Sequence, residues 1–197
     1  MRLLFATSNA HKTEEVAAIL GADWQVEDLR AHPGITLDEE TGDTFEANAV
    51  IKAVSGSRGA PGLLVLADDS GLEVDALGGA PGVRSARYAG ETANAADNRA
   101  KLKVELAKKA MYSRFAGRFH CCMVLARDGK VLHITHGSVA GHLLLEEQGA
   151  GGFGYDSLFV PDGFTDSFGV LPAETKNQLS HRARALAAMK KKLATHL

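Results

Sequence analysis

Asp128-Gly129 stands between two strand-like runs, Phe119 to Arg127 and Lys130 to Gly137. A two-residue Asp-Gly connection suits the type I′ turn, whose two central residues both need positive φ, and that turn joins antiparallel strands. A hairpin is therefore expected here, and an all-helical fold is excluded. Leu3 to Thr7 reads as a short buried strand, Trp24 to Glu27 as a second, and Leu63 to Asp68 as a third, closed by Asp68-Asp69-Ser70-Gly71. Helical runs lie between them. One follows the cap-type residues Ser8 and Asn9 as far as Leu20, with Val16, Ile19 and Leu20 on one face. A second follows the capping-box pair Asp43 and Glu46 to about Ser55, with Asn48 and Lys52 on a shared face. A third spans 94–110 with Leu102 and Leu106, and the last starts near Ser180 with Leu186, Met189 and Leu193 as its inner stripe. Residues 78–90 and 149–157 are glycine-rich loops. Strands interspersed with helices, together with one hairpin, predict an α/β or α+β fold with a mixed sheet.

At 197 residues the chain is expected to form one domain, 1–197, with a core large enough to need no covalent staple. There is no internal repeat and no linker-like segment. A net charge of −2 gives no general argument for a nucleic-acid or membrane partner. The two cysteines, Cys121 and Cys122, are adjacent and lack metal-ligand spacing, so they read as small buried strand residues. The N-terminal apolar run, Leu3 to Ala6, is too short for a signal peptide, and a soluble, cytoplasmic protein is expected.

Four polar constellations fall near the ends of regular elements, where sites tend to be built. Thr7, Ser8, Asn9, Ala10, His11 and Lys12 combine a helix start, a hydroxyl pair and a cation, which suits a phosphate; a plain capped helix is the simpler reading. Glu39 and Glu40 precede a helix bearing Lys52, and a solvated face or dipole complement is the plainer reading. Asp68 and Asp69 close an apolar strand, where carboxylates need cations nearby. Few carboxylates completed by substrate phosphates is the Mg2+ pattern, and a structural turn is the alternative. Strand alternation points the two Asp side chains to opposite faces, so one of them at most looks directly into a given site. The fourth constellation is split between Gly151 to Asp156, where Phe153 could stack on a base, and Lys176 to Arg182, a donor-rich helix start. Core packing for Phe153 and a basic capped helix for Ser180-His181-Arg182 are the plainer alternatives.

Taken together and in this order, the motifs resemble the inosine-triphosphate pyrophosphatase family, the Ham1-like enzymes that act on non-standard purine nucleoside triphosphates. The matching pieces are TSNAHK at 7–12, EETGDTFEANAVIKA at 39–53, ADDSGLEVDALGGAPGVRSARYAG at 67–90, RFHC at 118–121, GGFGYD at 151–156 and KNQLSHR at 176–182. They span essentially the whole chain. The resemblance implies an α/β fold with a long mixed sheet, flanking helices and two lobes around a nucleotide cleft, and a homodimer. It implies hydrolysis of ITP, dITP and XTP to the monophosphate and pyrophosphate, with Mg2+.

Position by position, the resemblance gives Thr7 to Lys12 to the triphosphate and Lys52 to a second phosphate contact. Glu40 and Asp69 match metal-site carboxylates, and Asp69 also the proposed base. Ser70, Phe153, Gly154, Tyr155, Asp156, Lys176, His181 and Arg182 match substrate contacts. Asp68 stays in reserve for the water-orienting role. The chain departs from the family pattern at Ser157, where Pro is frequent, at Thr175, where an acid is common, and at Ser8, where Gly is frequent. Two other readings are a Maf-like pyrophosphatase for other modified nucleotides and a nucleotide-binding module without turnover. GGFGYD and SHR argue against the first, and the Lys12, Glu40, Lys52 and Asp69 set against the second.

Overall fold

The structure, a computed structural model, describes residues 1–109 and 114–196. Six strands are hydrogen-bonded in the order β2-β1-β3-β4-β5-β6. They are β1 (Arg2–Phe5), β2 (Gln25–Asp28), β3 (Val65–Val74), β4 (Phe115–Arg127), β5 (Lys130–Leu143) and β6 (Phe159–Pro161). β1 runs parallel to both β2 and β3, while β5 and β6 are antiparallel, so the sheet is mixed. The helices are α1 (Ala10–Leu20), α2 (Phe45–Gly59), α3 (Ala95–Ala107), α4 (Ala173–Leu179) and α5 (His181–Leu193). No described helix is long and apolar enough to cross a membrane.

The hairpin forms where the Asp-Gly pair requires it. Asp128 and Gly129 have φ of 51° and 77°, the positive pair that a type I′ turn needs. The turn is also tied down: Gly62 N donates to Asp128 Oδ1 at 2.7 Å, and Gly129 N donates to Ser57 Oγ at 2.9 Å. Its strands run longer than the sequence pattern indicates. Asp68 to Gly71 likewise do not end β3, which continues through both acids to Val74. The 94–110 helix stops at Ala107, and residue 110 lies outside the described residues. Thr44, not Asp43, caps α2, because its Oγ1 is the group that accepts from Ala47 N. Part of the 78–90 loop is wound into a 3-10 helix, Gly82–Arg87. β6 and α4 have no counterpart in the sequence reading.

Two compact units divide the chain, the first made of Met1–Asp69, Cys121–Gly137 and the segment from His181, the second of Ser70–His120 and Ser138–Ser180. In the first, strand alternation splits the core cleanly. Leu3, Phe5, Leu66, Cys121, Met123 and Leu125 face Val16 and Leu20 of α1 and Leu186, Met189 and Leu193 of α5. Leu4, Ala6, Val65, Ala67, Cys122 and Val124 face Ala49 and Ala53 of α2. In the second unit Leu102 and Leu106 of α3 join Leu72, Val74, Phe119, Phe159 and Phe168; the Phe119 and Phe159 rings lie 4.7 Å apart, tilted.

Gly137 sets how closely α5 approaches β5. A Cβ there would run into the carbonyl of His181 and the amide of Ala185, both backbone atoms with nowhere to go. Gly137→Ala is therefore expected to lower stability by about 1–3 kcal/mol, the usual cost of overpacking, and to displace the start of α5. Denaturant unfolding of the variant checks this, and an unchanged midpoint would mean α5 yields freely.

Candidate functional site

In the first unit, β3 presents Asp68 and Asp69 to different partners, as strand alternation requires. Asp68 is 2% exposed. Its Oδ1 accepts from Lys12 Nζ at 2.8 Å, and its Oδ2 accepts from Arg182 at 3.0 and 3.3 Å. Arg182, 1% exposed, also donates to Glu15 Oε2 at 2.5 Å. Burial alone would raise the carboxyl pKa of Asp68, but Lys12, Arg182 and Lys52 outweigh it and hold the group far below the usual range. Burial likewise works against the charged form of Arg182, and Asp68 and Glu15 more than restore it. Asp68 is thus an ionised counterion with both oxygens occupied.

Asp69 is in a different state. Lys52 Nζ donates to it at 3.3 Å and Asn48 Nδ2 at 3.3 Å, both from one face of α2, as their spacing of four implies. The Lys52 ammonium also donates to Glu40 Oε2 at 3.0 Å. Burial raises the Asp69 pKa, Lys52 and Lys12 oppose it, and the nearby charges of Glu40 and Asp68 leave it net raised. Lys52 is itself 8% exposed; burial disfavours its charge, yet Asp69, Asp68 and Glu40 leave its pKa raised. Asn48 is locked in place, its Oδ1 accepting from Gly42 N at 2.8 Å.

The helix start at 7–12 is more self-satisfied than the sequence suggests. Asn9 Oδ1 accepts from His11 N at 3.0 Å and Lys12 N at 3.4 Å, and Thr7 Oγ1 accepts from Asn9 N at 3.1 Å. The cap therefore takes two amides otherwise suited to an anion. Ser8 and His11 are exposed, while Ala10 and Lys12 are half-buried. Ser70 follows Asp69 along β3, half-buried.

In the second unit Asp156 organises the 151–156 loop. Its Oδ2 accepts from Phe153 N at 2.7 Å and Lys176 Nζ at 2.6 Å. Gly152, at φ 68°, passes so close to this carboxylate that no Cβ fits. Lys176 Nζ also lies 4.5 Å from the centroid of the half-buried Phe153 ring. Gly154 O accepts from Arg99 at 2.9 Å. Tyr155 is a core residue whose hydroxyl donates to Ser85 O at 2.9 Å. Ser157 replaces a frequent proline with a specific bond, its Oγ donating to Glu147 at 3.0 Å, and Glu147 is in turn paired with Arg99. Thr175 is half-buried in α4.

The structure thus brings together Lys12, Asp68 and Arg182, then Glu40, Lys52 and Asp69, and separately Phe153, Asp156 and Lys176. His181, buried, opens α5 beside Arg182. The sequence reading did not pick out Glu15 or the bond from Asn48 to Asp69. Glu15 lies three residues after Lys12 on α1, a spacing that puts both on one helix face and could have flagged it.

Glu40 and Asp69 converge on one cation, the Lys52 ammonium, which shows that this pair of hard oxygen donors already favours positive charge between them. Such a pair fits a divalent ion whose remaining ligands come from phosphate and water.

The two aspartates should respond oppositely to neutralisation in metal-free protein. The folded-state pKa of Asp68 is depressed, so its contribution is present above the unfolded carboxyl pKa and is lost only as pH falls through the folded value. Asp68→Asn removes the buried anion shared by Lys12 and Arg182 and is expected to cost about 3–5 kcal/mol. The pKa of Asp69 is raised, so its ionised form costs folding free energy relative to the unfolded chain, and Asp69→Asn should hold or increase the melting temperature. Melts of both variants at pH 7 check this; a large loss for Asp69→Asn would reverse the assignment.

The Ham1 family profile matches residues 3–192. The dITP/XTP pyrophosphatase of Desulforamulus reducens is 44% identical over 187 residues, which is 94% of this chain and 92% of the relative. The dITP/XTP pyrophosphatase of Geobacter sulfurreducens is 45% identical over 190 residues, 96% of this chain and 94% of the relative. A HAM1 protein from Coxiella burnetii has a similar solved structure, with a TM-score of 0.85, 35% identity and 99% of each chain covered. With the α/β mixed sheet, these similarities establish that the chain belongs to the Ham1 family.

Proposed function

We propose that this chain hydrolyses non-standard purine nucleoside triphosphates, ITP, dITP and XTP, to the monophosphate and pyrophosphate, using Mg2+. The observation that carries the reading is the pair of unlike aspartates on β3, one saturated by Lys12 and Arg182, the other set between Lys52, Asn48 and Glu40. A nucleotide-binding module has no need of the second arrangement.

Hydrolysis at the α-phosphorus is mainly a matter of positioning and charge neutralisation. Lys12 and Lys52, with the 7–12 loop, hold the polyphosphate and offset the charge that builds on the leaving pyrophosphate. Glu40 and Asp69 would hold the Mg2+, which would supply further neutralisation and a more acidic water. Asp69 orients the attacking water through a carboxylate oxygen rather than removing its proton unaided, since a carboxylate is a weak base at neutral pH. Asp68, with Lys12 on one oxygen and Arg182 on the other, is a poorer acceptor and serves to fix those cations. Ser70, next in the strand, is assigned to the substrate.

Phe153 in the 151–156 loop supports the base, with Gly154 and Asp156 shaping that loop and Lys176 completing it. Tyr155 contributes through the core. His181, directly after the last residue of the second unit, is assigned to the 6-keto oxygen. Arg182 acts through Asp68. The same proposal includes one functional domain, because β3, β4 and β5 each contribute residues to both units. It also includes a homodimer, for which the exposed Leu145 and Phe164 offer apolar surface, and a cytoplasmic location, where nucleoside triphosphates are made and used.

Phe153→Ala tests the base platform. Loss of stacking should weaken nucleotide binding by about 1–3 kcal/mol with the fold intact. Calorimetry with ITP decides it; unfolding, or unchanged affinity, would show that the ring only packs.

The substrate prediction follows from donor patterns. Hypoxanthine and xanthine share a 6-keto acceptor and an N1–H donor, whereas adenine places an amino donor at position 6 and has a bare N1. A buried site built around such a bond can reject the mismatched base by about 10⁴-fold. Guanine differs from hypoxanthine only by a 2-amino group and should be the main leak. Pyrophosphate release across ITP, XTP, GTP, ATP, CTP and UTP should rank in that order of groups, vanish in chelator, and fall by at least about 10²-fold in Asp69→Asn. ATP or a pyrimidine matching ITP, or turnover surviving chelation, would sink the reading.

A further inference from the structure

Outside the candidate site, one group of three metal-ligating side chains converges among the described residues. One ligand atom from each of Glu46, Cys122 and His136 lies within 4.8 Å of the others. They come from the first turn of α2, from β4 and from β5, all in the first unit. His136 Nε2 stands 3.0 Å from Glu46 Oε2, with their side chains 62% and 50% exposed, while Cys122 is 1% exposed. The neighbouring Cys121 packs on the opposite face of the sheet, with α1 and α5. The two thiols are therefore not equivalent, and only Cys122 meets an imidazole and a carboxylate.

We propose that Glu46, Cys122 and His136 form a Zn2+ site. One thiolate, one imidazole and one carboxylate make a borderline-soft donor set that selects zinc over magnesium, so the site does not compete for the hard ion assigned to Glu40 and Asp69. Zinc bonds of about 2.0–2.3 Å place tetrahedral ligand atoms about 3.4–3.6 Å apart. The imidazole and carboxylate already approach closely, and the remaining closure is about an ångström, within reach of rotamer changes in two exposed side chains. Cys122, held in β4, is the fixed anchor, and solvent takes the fourth position.

Burial, with the negative charge of Glu46 and Asp69 nearby, pushes the Cys122 thiol up to about 12. The thiol is accordingly inert until the metal displaces its proton, which leaves to solvent as the sulfur–zinc bond forms. Occupancy ties the first turn of α2 to β4 and β5. The same helix carries Asn48 and Lys52 to Asp69, so the ion steadies the helix from which those two groups reach.

The test is a Co2+ titration of the reduced, metal-free full chain, followed by Zn2+. A sulfur-to-cobalt charge-transfer band is expected to saturate stoichiometrically and to bleach when Zn2+ is added. Co2+ held by Glu40 and Asp69 has oxygen ligands only and gives no such band. Cys122→Ser should abolish the band and Cys121→Ser should leave it. His136→Ala and Glu46→Gln, both at exposed positions that leave the core intact, should weaken Co2+ binding by about tenfold or more. No band at saturating Co2+, a band that survives Cys122→Ser, or affinity unchanged in both His136→Ala and Glu46→Gln would overturn the site.

Discussion

Lys12, Asp68 and Arg182 meet in the interior of the first unit across sequence separations of 56 and 114 residues. Their interaction ties α1 and α5 to β3. Removing such charges from water is expensive, and mutual attraction repays the cost only when the geometry is tight and the remaining groups are bonded. Both conditions hold, since each Asp68 oxygen has a cationic donor and Glu15 takes a further guanidinium hydrogen. The net gain in stability is modest; the gain in position is large. β3 can run straight through two consecutive acids because each is compensated where it stands.

The strand period then does chemical work. Adjacent carboxylates with the same intrinsic acidity end up on opposite sides of a sheet, one among saturating cations and one between a lysine, an amide and a second acid. Identical side chains acquire different proton affinities from their surroundings alone. That division of labour follows from a two-residue spacing, and it would be lost by a one-residue slip in register.

What the sequence made legible was what depends on near neighbours. The Asn9 cap, the Asp128-Gly129 turn and the Leu186, Met189 and Leu193 stripe are decided within a turn or two of chain. Asp43 and Thr44 are both good caps, and only the actual bond to Ala47 N separates them. β6 is three residues long and is defined by its ladder to β5, so nothing in its own composition announces it. α4 starts at a proline-led turn and spans seven residues, too few for a period to show. The partners of Arg182 are 114 and 167 residues away, and no local pattern reports on them. The family motifs pointed to candidate site residues, while the difference between Asp68 and Asp69 needed the ion pairs themselves.

The 151–156 loop is fixed by its own chain. Asp156 accepts from the Phe153 amide and from Lys176, and Gly152 has the one conformation that lets that carboxylate close in. Ordering a loop of this kind at the moment of binding would forfeit about 1–2 kcal/mol of backbone entropy per residue. Here that loss is met during folding, before any ligand arrives, so the affinity of the base assigned to this loop in the proposed function would not be discounted by it. A preset surface also cannot reshape itself around a poor fit. Under the proposed function, rejection of the wrong base would then be a matter of fixed contours, with the abundant nucleotides turned away without first being accommodated.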